Sequence, residues 1–128
     1  MAGFGGLRKL LIFHGVVTLV AAVVLSVSPG FIPGIAGVRL APNAYLMAYL
    51  LAGAEFGIAF LSLGGSRLHD LGALRLIAGS CIVFHATSAA LETCAVYREA
   101  GNPILVANIV ARLVIVALFV FFSRRAAK

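Results

Sequence analysis

Residues 45–63 read YLMAYLLAGAEFGIAFLSL, an almost unbroken apolar run with one carboxylate, Glu55, at its middle. About 20 such residues make a helix long enough to cross the hydrocarbon of a bilayer, so the stretch predicts a transmembrane helix. A charge at that depth is costly, and such residues usually face a bundle interior and act there. Working outward, the chain divides into four apolar segments, at 7–27, 44–64, 71–95 and 103–122, each long enough to span.

Composition agrees. The 128 residues are 62% hydrophobic and 11% charged, with a mean hydropathy of +1.12. In soluble domains the apolar share is about half and the charged share about a quarter. The expected fold is an all-α, integral-membrane, four-helix up-down-up-down bundle forming one domain over 1–128, with no room for a soluble unit.

The net charge of +6 would suggest nucleic acid as a partner in a soluble protein. Here the cations sit at segment ends and act as topology signals, so the partner is the bilayer and no nucleic acid is expected. Arg8 and Lys9 precede the first segment, Arg67 and Arg75 bracket the second connection, and Arg124, Arg125 and Lys128 follow the last segment. The other two connections carry only Arg39 and Arg98. The positive-inside rule then puts both termini in the cytoplasm. The basic, Ala- and Gly-rich composition fits a multi-pass protein of a bacterial cytoplasmic membrane. A cleaved signal peptide is not expected, because the first apolar run exceeds the usual 7 to 15 residues or so and Pro29 would follow the Ser26-Val27-Ser28 site.

Between the first two segments, residues 28–43 are rich in Pro and Gly, yet Phe31, Ile32, Ile35, Val38 and Leu40 make them apolar. Such a segment is expected to lie on the outer interface or to fold over the bundle. Asp70 fits the N-cap of the third segment and Pro103 the first turn of the fourth. Gly53 and Gly57 form a GxxxG pair that permits close helix contact about 200° around the helix from Glu55, a possible homo-oligomer face. Cys81 and Cys94 are thirteen positions apart on one helix, about 20 Å, so they cannot pair and are expected to be packing residues.

Counting 1.5 Å per residue from the outer ends places Glu55, His85 and Arg112 in one layer roughly 14 to 16 Å deep, with Glu92 and Asn108 roughly 5 to 8 Å deep. Cys81, His85, Ser88 and Glu92 recur at helical spacing and share one stripe, as do Asn108 and Arg112. Three helices can therefore turn polar groups towards a common interior, lined in this reading by Tyr45, Tyr49, Phe56, Phe60 and Phe84. His14 and Thr18 can join from the cytoplasmic side. Simpler roles are open: an Arg112–Glu92 pair that staples two helices, a hydrogen-bonded packing role for His85, and aromatic core packing.

A carboxyl kept dry in such a layer is a neutral acid, suited to protonating an alkene or epoxide and sheltering the carbocation from water. Glu55 would be the acid, the aromatic rings would stabilise migrating charge, His85 or Glu92 would take the last proton, and Arg112 would orient Glu92 or the substrate. Ser88 and Asn108 complete the expected substrate wall.

On Ala54-Glu55-Phe56, Phe84-His85-Ala86, Leu91-Glu92 and Ala111-Arg112, with the overall size and the four-span plan, the chain resembles the small bacterial integral-membrane terpene cyclases that act on farnesylated indoles and related prenylated compounds. The resemblance implies a lipophilic prenylated substrate and acid catalysis without metal or other cofactor. Two further classes stand beside it. Small four-helix multidrug exporters also use one embedded glutamate for proton-coupled transport, although theirs lies on the first helix and they rely on Trp, which is absent here. A non-catalytic, DoxX-like membrane subunit is a fold-level analogy. An enzyme needs an enclosed pocket at Glu55, a transporter needs access from both faces, and structural glue needs every polar group satisfied with no cavity.

Overall fold

The computed structural model describes residues 4–99 and 102–126, so Lys128 and the tip of the third connection lie outside the described residues. The chain forms α1 (Phe4–Val27), a short α2 (Phe31–Ile35), a 3-10 turn at Pro42–Ala44, α3 (Tyr45–Gly65), α4 (Leu71–Glu99) and α5 (Pro103–Arg125). The four long helices are each long and apolar enough to cross a membrane, and they form an up-down-up-down bundle. This is a multi-pass membrane protein. Helices α4 and α5 run past the apolar segments by about a turn, because Arg98, Glu99, Arg124 and Arg125 continue a helix beyond the hydrocarbon as readily as within it.

Local chemistry fixes the helix ends. Asp70 Oδ1 accepts from Ala73 N at 2.7 Å, capping α4. Asn102 Oδ1 accepts from Ile104 N at 2.9 Å, with Pro103 beside it in the first turn of α5. The Asn102 amide also donates to Ala36 O, tying the first connection to the start of α5. That connection lies over the bundle end: Ile32 and Leu40 pack against the buried cluster of Leu25, Ala48 and Ala52, while Phe31, Ile35 and Val38 stay exposed. Gly37 makes the turn possible with φ +77°.

Small residues set the packing. A Cβ on Gly15 would lie 2.7 Å from Leu63 Cγ, which shows how closely α1 approaches α3. Ala48, Ala52, Glu55, Ala59 and Ser62 form the buried face of α3. Helices α1 with α3, and α4 with α5, make the extensive pairs, whereas α1 and α5 touch much less. The main core lies towards the end where α1 starts and α5 finishes, around Leu7, Leu11, Leu74, Cys81 and Phe119. Gly53 and Gly57 are exposed and face open space, so the GxxxG face is unused within the bundle.

Candidate functional site

The bundle centre holds a connected chain of polar side chains that draws on all four long helices. His14 of α1 places Nδ1 2.9 Å from Ser62 Oγ of α3 and Nε2 2.7 Å from His85 Nε2 of α4. Arg112 of α5 brings Nη1 to 3.4 Å from His85 Nδ1. Its Nε lies 2.9 Å from Glu92 Oε1, an ion-pair distance, although the N–H does not point along that line. Asn108 Nδ2 donates to both Glu92 oxygens, at 3.1 and 2.9 Å. At the other end Ser62 Oγ is 3.6 Å from Cys81 Sγ.

Hydrogen-bond chemistry gives this chain a direction. Arg can only donate, so His85 Nδ1 accepts and the neutral ring carries its proton on Nε2. His85 Nε2–H then donates to His14 Nε2, which leaves His14 Nδ1–H to donate to Ser62 Oγ. These tautomers are assigned from the network. A bare Nε2–Nε2 contact at 2.7 Å forbids both rings from being protonated there at once. Phe119 meets the His14 ring edge-on at 5.2 Å, and Phe84 meets His85 likewise at 5.2 Å, so packing also fixes both imidazoles.

Beside this chain lies a cavity of about 270 Å³. Its polar wall is His14, Thr18, Glu55, His85, Asn108 and Arg112, and its apolar wall comes from α1 and α5. Glu55 is buried, with 8% of its surface exposed, and its carboxyl has no hydrogen-bond partner among the described residues. Among those residues no three His, Cys, Asp or Glu side chains converge to hold a metal ion.

The expected layer of Glu55, His85 and Arg112 does come together around one cavity. The rest of the expected site needs correction. The cavity lies between α1 and α5 and not among the last three spans, with α3 and α4 contributing only Glu55 and His85. None of Tyr45, Tyr49, Phe56, Phe60 and Phe84 lines it. At 100° per residue these α3 aromatics sit roughly 80° to 140° around the helix from Glu55, so when the small-residue stripe faces inward they turn away. Phe60 is 77% exposed, and Tyr49 and Phe56 are also exposed. Tyr45 is half-buried near Gly30, and Phe84 touches the site only through His85 and the Arg112 guanidinium, 5.9 Å above its ring. Ser88 is half-buried and outside the cavity wall. Glu92 is also outside it, and its carboxylate holds Arg112 and Asn108 in place.

Ser62 is the member that the expected site lacked, and His14, expected only to join from the cytoplasmic side, is bonded to both Ser62 and His85. Their signal was present: His14 and Thr18 interrupt the otherwise apolar run 10–25 of α1 at a one-turn spacing, and Ser62 lies on the Glu55 stripe. Comparison of the chain with protein-family models, curated proteins and solved structures finds no match. The fold and site define a class only: a four-helix membrane bundle with a polar interior and a buried acid facing a cavity.

Proposed function

We propose that this is a multi-pass enzyme of the bacterial cytoplasmic membrane, both termini cytoplasmic, that uses Glu55 as an intramembrane acid on a prenylated lipophile. One observation carries the reading. Every other polar group of the centre is engaged with a neighbour, whereas Glu55 is buried, has no hydrogen-bond partner among the described residues and opens into a cavity. A carboxyl that served only to glue helices would be satisfied by them. Supporting the topology, Arg8, Lys9, Arg67, Arg75, Arg124 and Arg125 gather at the bundle end where α1 starts and α5 finishes.

The chemistry is a proton transfer. Glu55 gives its proton to an alkene carbon or epoxide oxygen, the substrate becomes a carbocation, and Glu55 becomes the carboxylate. Loss of a proton from a neighbouring carbon to the Glu55 carboxylate closes the step and restores the acid, so the product keeps the substrate's mass. With the aromatic residues turned outward, the site favours short proton-initiated cyclisation or isomerisation over a cascade guided by aromatic rings. Glu92 serves here as a positioning residue, not as the base.

The test is mass spectrometry of membranes carrying wild-type protein or Glu55→Gln, incubated with farnesylated indole, its terminal epoxide and other prenylated aromatics. A product of unchanged mass made by wild type alone supports the reading. Product from Glu55→Gln at normal expression, or none from any substrate, overturns it. Proton-coupled export of lipophilic cations is the second reading, favoured by the Arg112–Glu92 pair, which neutralises the charge that would repel a cation.

A further inference from the structure

The cavity is a slot. Leu10, Val17 and Ala21 form its wall on α1, and Ala111, Ile115 and Leu118 form the wall on α5. From position 10 to position 21 it runs about 16 Å along the helix axis at 1.5 Å per residue. A volume of about 270 Å³ over that length leaves width for one hydrocarbon chain. An apolar cavity of about 150 Å³ admits benzene, so this one encloses about ten carbons of a substrate.

The slot has a polar end and an apolar end. His14 faces Ser62, and Leu25 packs with Ala48, so the antiparallel register sets Glu55 near the level of Thr18 and Ala21. Gly6 beside Phe122 sets Asn108 at a similar level on α5. Leu10, Ile115 and Leu118 lie at the other end, against the main core.

The slot also has a side opening. It follows the α1–α5 seam, which is far more loosely packed than the α1–α3 and α4–α5 pairs. Phe13, 66% exposed, stands at its edge, and Val17 and Leu118 are exposed beside it. In a bilayer these side chains meet lipid, so the opening leads to hydrocarbon and not to water.

Building on the lipophile site proposed above, we infer that a single hydrocarbon chain of about ten carbons enters sideways from the bilayer through the α1–α5 seam, its functional end at Glu55 and its tail towards Leu10 and Leu118. The bilayer offers two sources of such a chain, isoprenoid and acyl, which share this chemistry.

Photolabelling of the full chain in phosphatidylcholine vesicles tests the inference. The probes are a prenyl alcohol and a straight-chain alcohol of that length, each with a diazirine at the head or at the tail, and adducts are mapped by peptide. Head probes are expected on Glu55 and Asn108, and tail probes on Leu10 and Leu118. Ala111→Phe and, separately, Ala21→Phe should close the slot from opposite walls and abolish these adducts, while lipid-facing Val20 and Leu50 stay labelled and report a folded protein. Labelling by the prenyl probe alone, or by both, supports the inference and identifies the source. Adducts confined to lipid-facing positions, a reversed head and tail, or cavity adducts that survive both variants overturn it. Glu55→Gln should keep the Leu10 and Leu118 adducts. A protein that takes the probe but converts no substrate therefore refutes the catalytic reading and leaves lateral loading standing.

Discussion

The His14–His85 contact makes a quantitative prediction about the bundle. His14→Leu removes the bonds to His85 at 2.7 Å and to Ser62 at 2.9 Å, and a weaker approach of Thr18 at 3.5 Å. Side-chain hydrogen bonds within membranes average about 0.6 kcal/mol and reach about 1.7, so the two strong ones represent about 1 to 3 kcal/mol. Ser62 keeps Cys81 as a partner at 3.6 Å, but the His85 N–H is left facing Leu, which adds about 1 to 3 kcal/mol. His85→Leu orphans the other ring and frees Arg112 from one of its contacts. In the double variant the shared bond is lost only once and neither ring is stranded. The double cost should therefore fall short of the summed single costs by about 1 to 3 kcal/mol. Reversible unfolding of the four proteins in bicelles measures the cycle. Additivity within about 0.5 kcal/mol would refute the bond and the four-helix chain built on it.

Two further outcomes follow from the glycines. Gly15→Ala puts a Cβ 2.7 Å from Leu63 Cγ and 3.2 Å from its backbone N; overpacking of about 1 to 3 kcal/mol should exceed the gain of about 1 kcal/mol from replacing glycine in a helix, and a rise in unfolding midpoint would contradict the close α1–α3 approach. Gly37→Ala meets both φ +77° and the Asn102 amide 2.6 Å away, so the connection at 28–43 should exchange its amide hydrogens faster while the long helices keep theirs; unchanged protection would show that Asn102 does not hold it.

The spans were legible because length and apolar content are what a bilayer demands of a helix, and residues such as Arg98 that lie past the hydrocarbon were not bounded by that demand. The α4 stripe of Cys81, His85 and Glu92 was legible because its spacing is internal to one helix. The cavity was not, since its location depends on which helices leave a gap. Short connections make sequential spans neighbours, but nothing in them says how tightly the first and last helices close the ring. The α3 aromatics were placed by chemical suitability for carbocations, although their angular offset from Glu55 already set them on another face. Ala48, Ala52, Ala59 and Ser62 carried the better signal, a narrow face that lets α1 approach closely.

The contrast between Glu55 and its neighbours separates structure from function within one cluster. Ser62, His14, His85, Arg112, Glu92 and Asn108 satisfy one another across four helices, which is what a membrane interior requires of polar groups that hold helices together. Their order also fixes Arg112, whose guanidinium is held by Glu92 and reaches the cavity beside Glu55. Glu55 gains nothing comparable from the fold. Its neighbours on the buried face of α3 are alanines, and the space before it is the cavity. A leucine there would fill the cavity and spare the bundle a buried carboxyl, so stability alone gives no reason for an acid at this position. The polar chain serves as the frame, and Glu55 is the group that the frame leaves free, as the proposed acid requires.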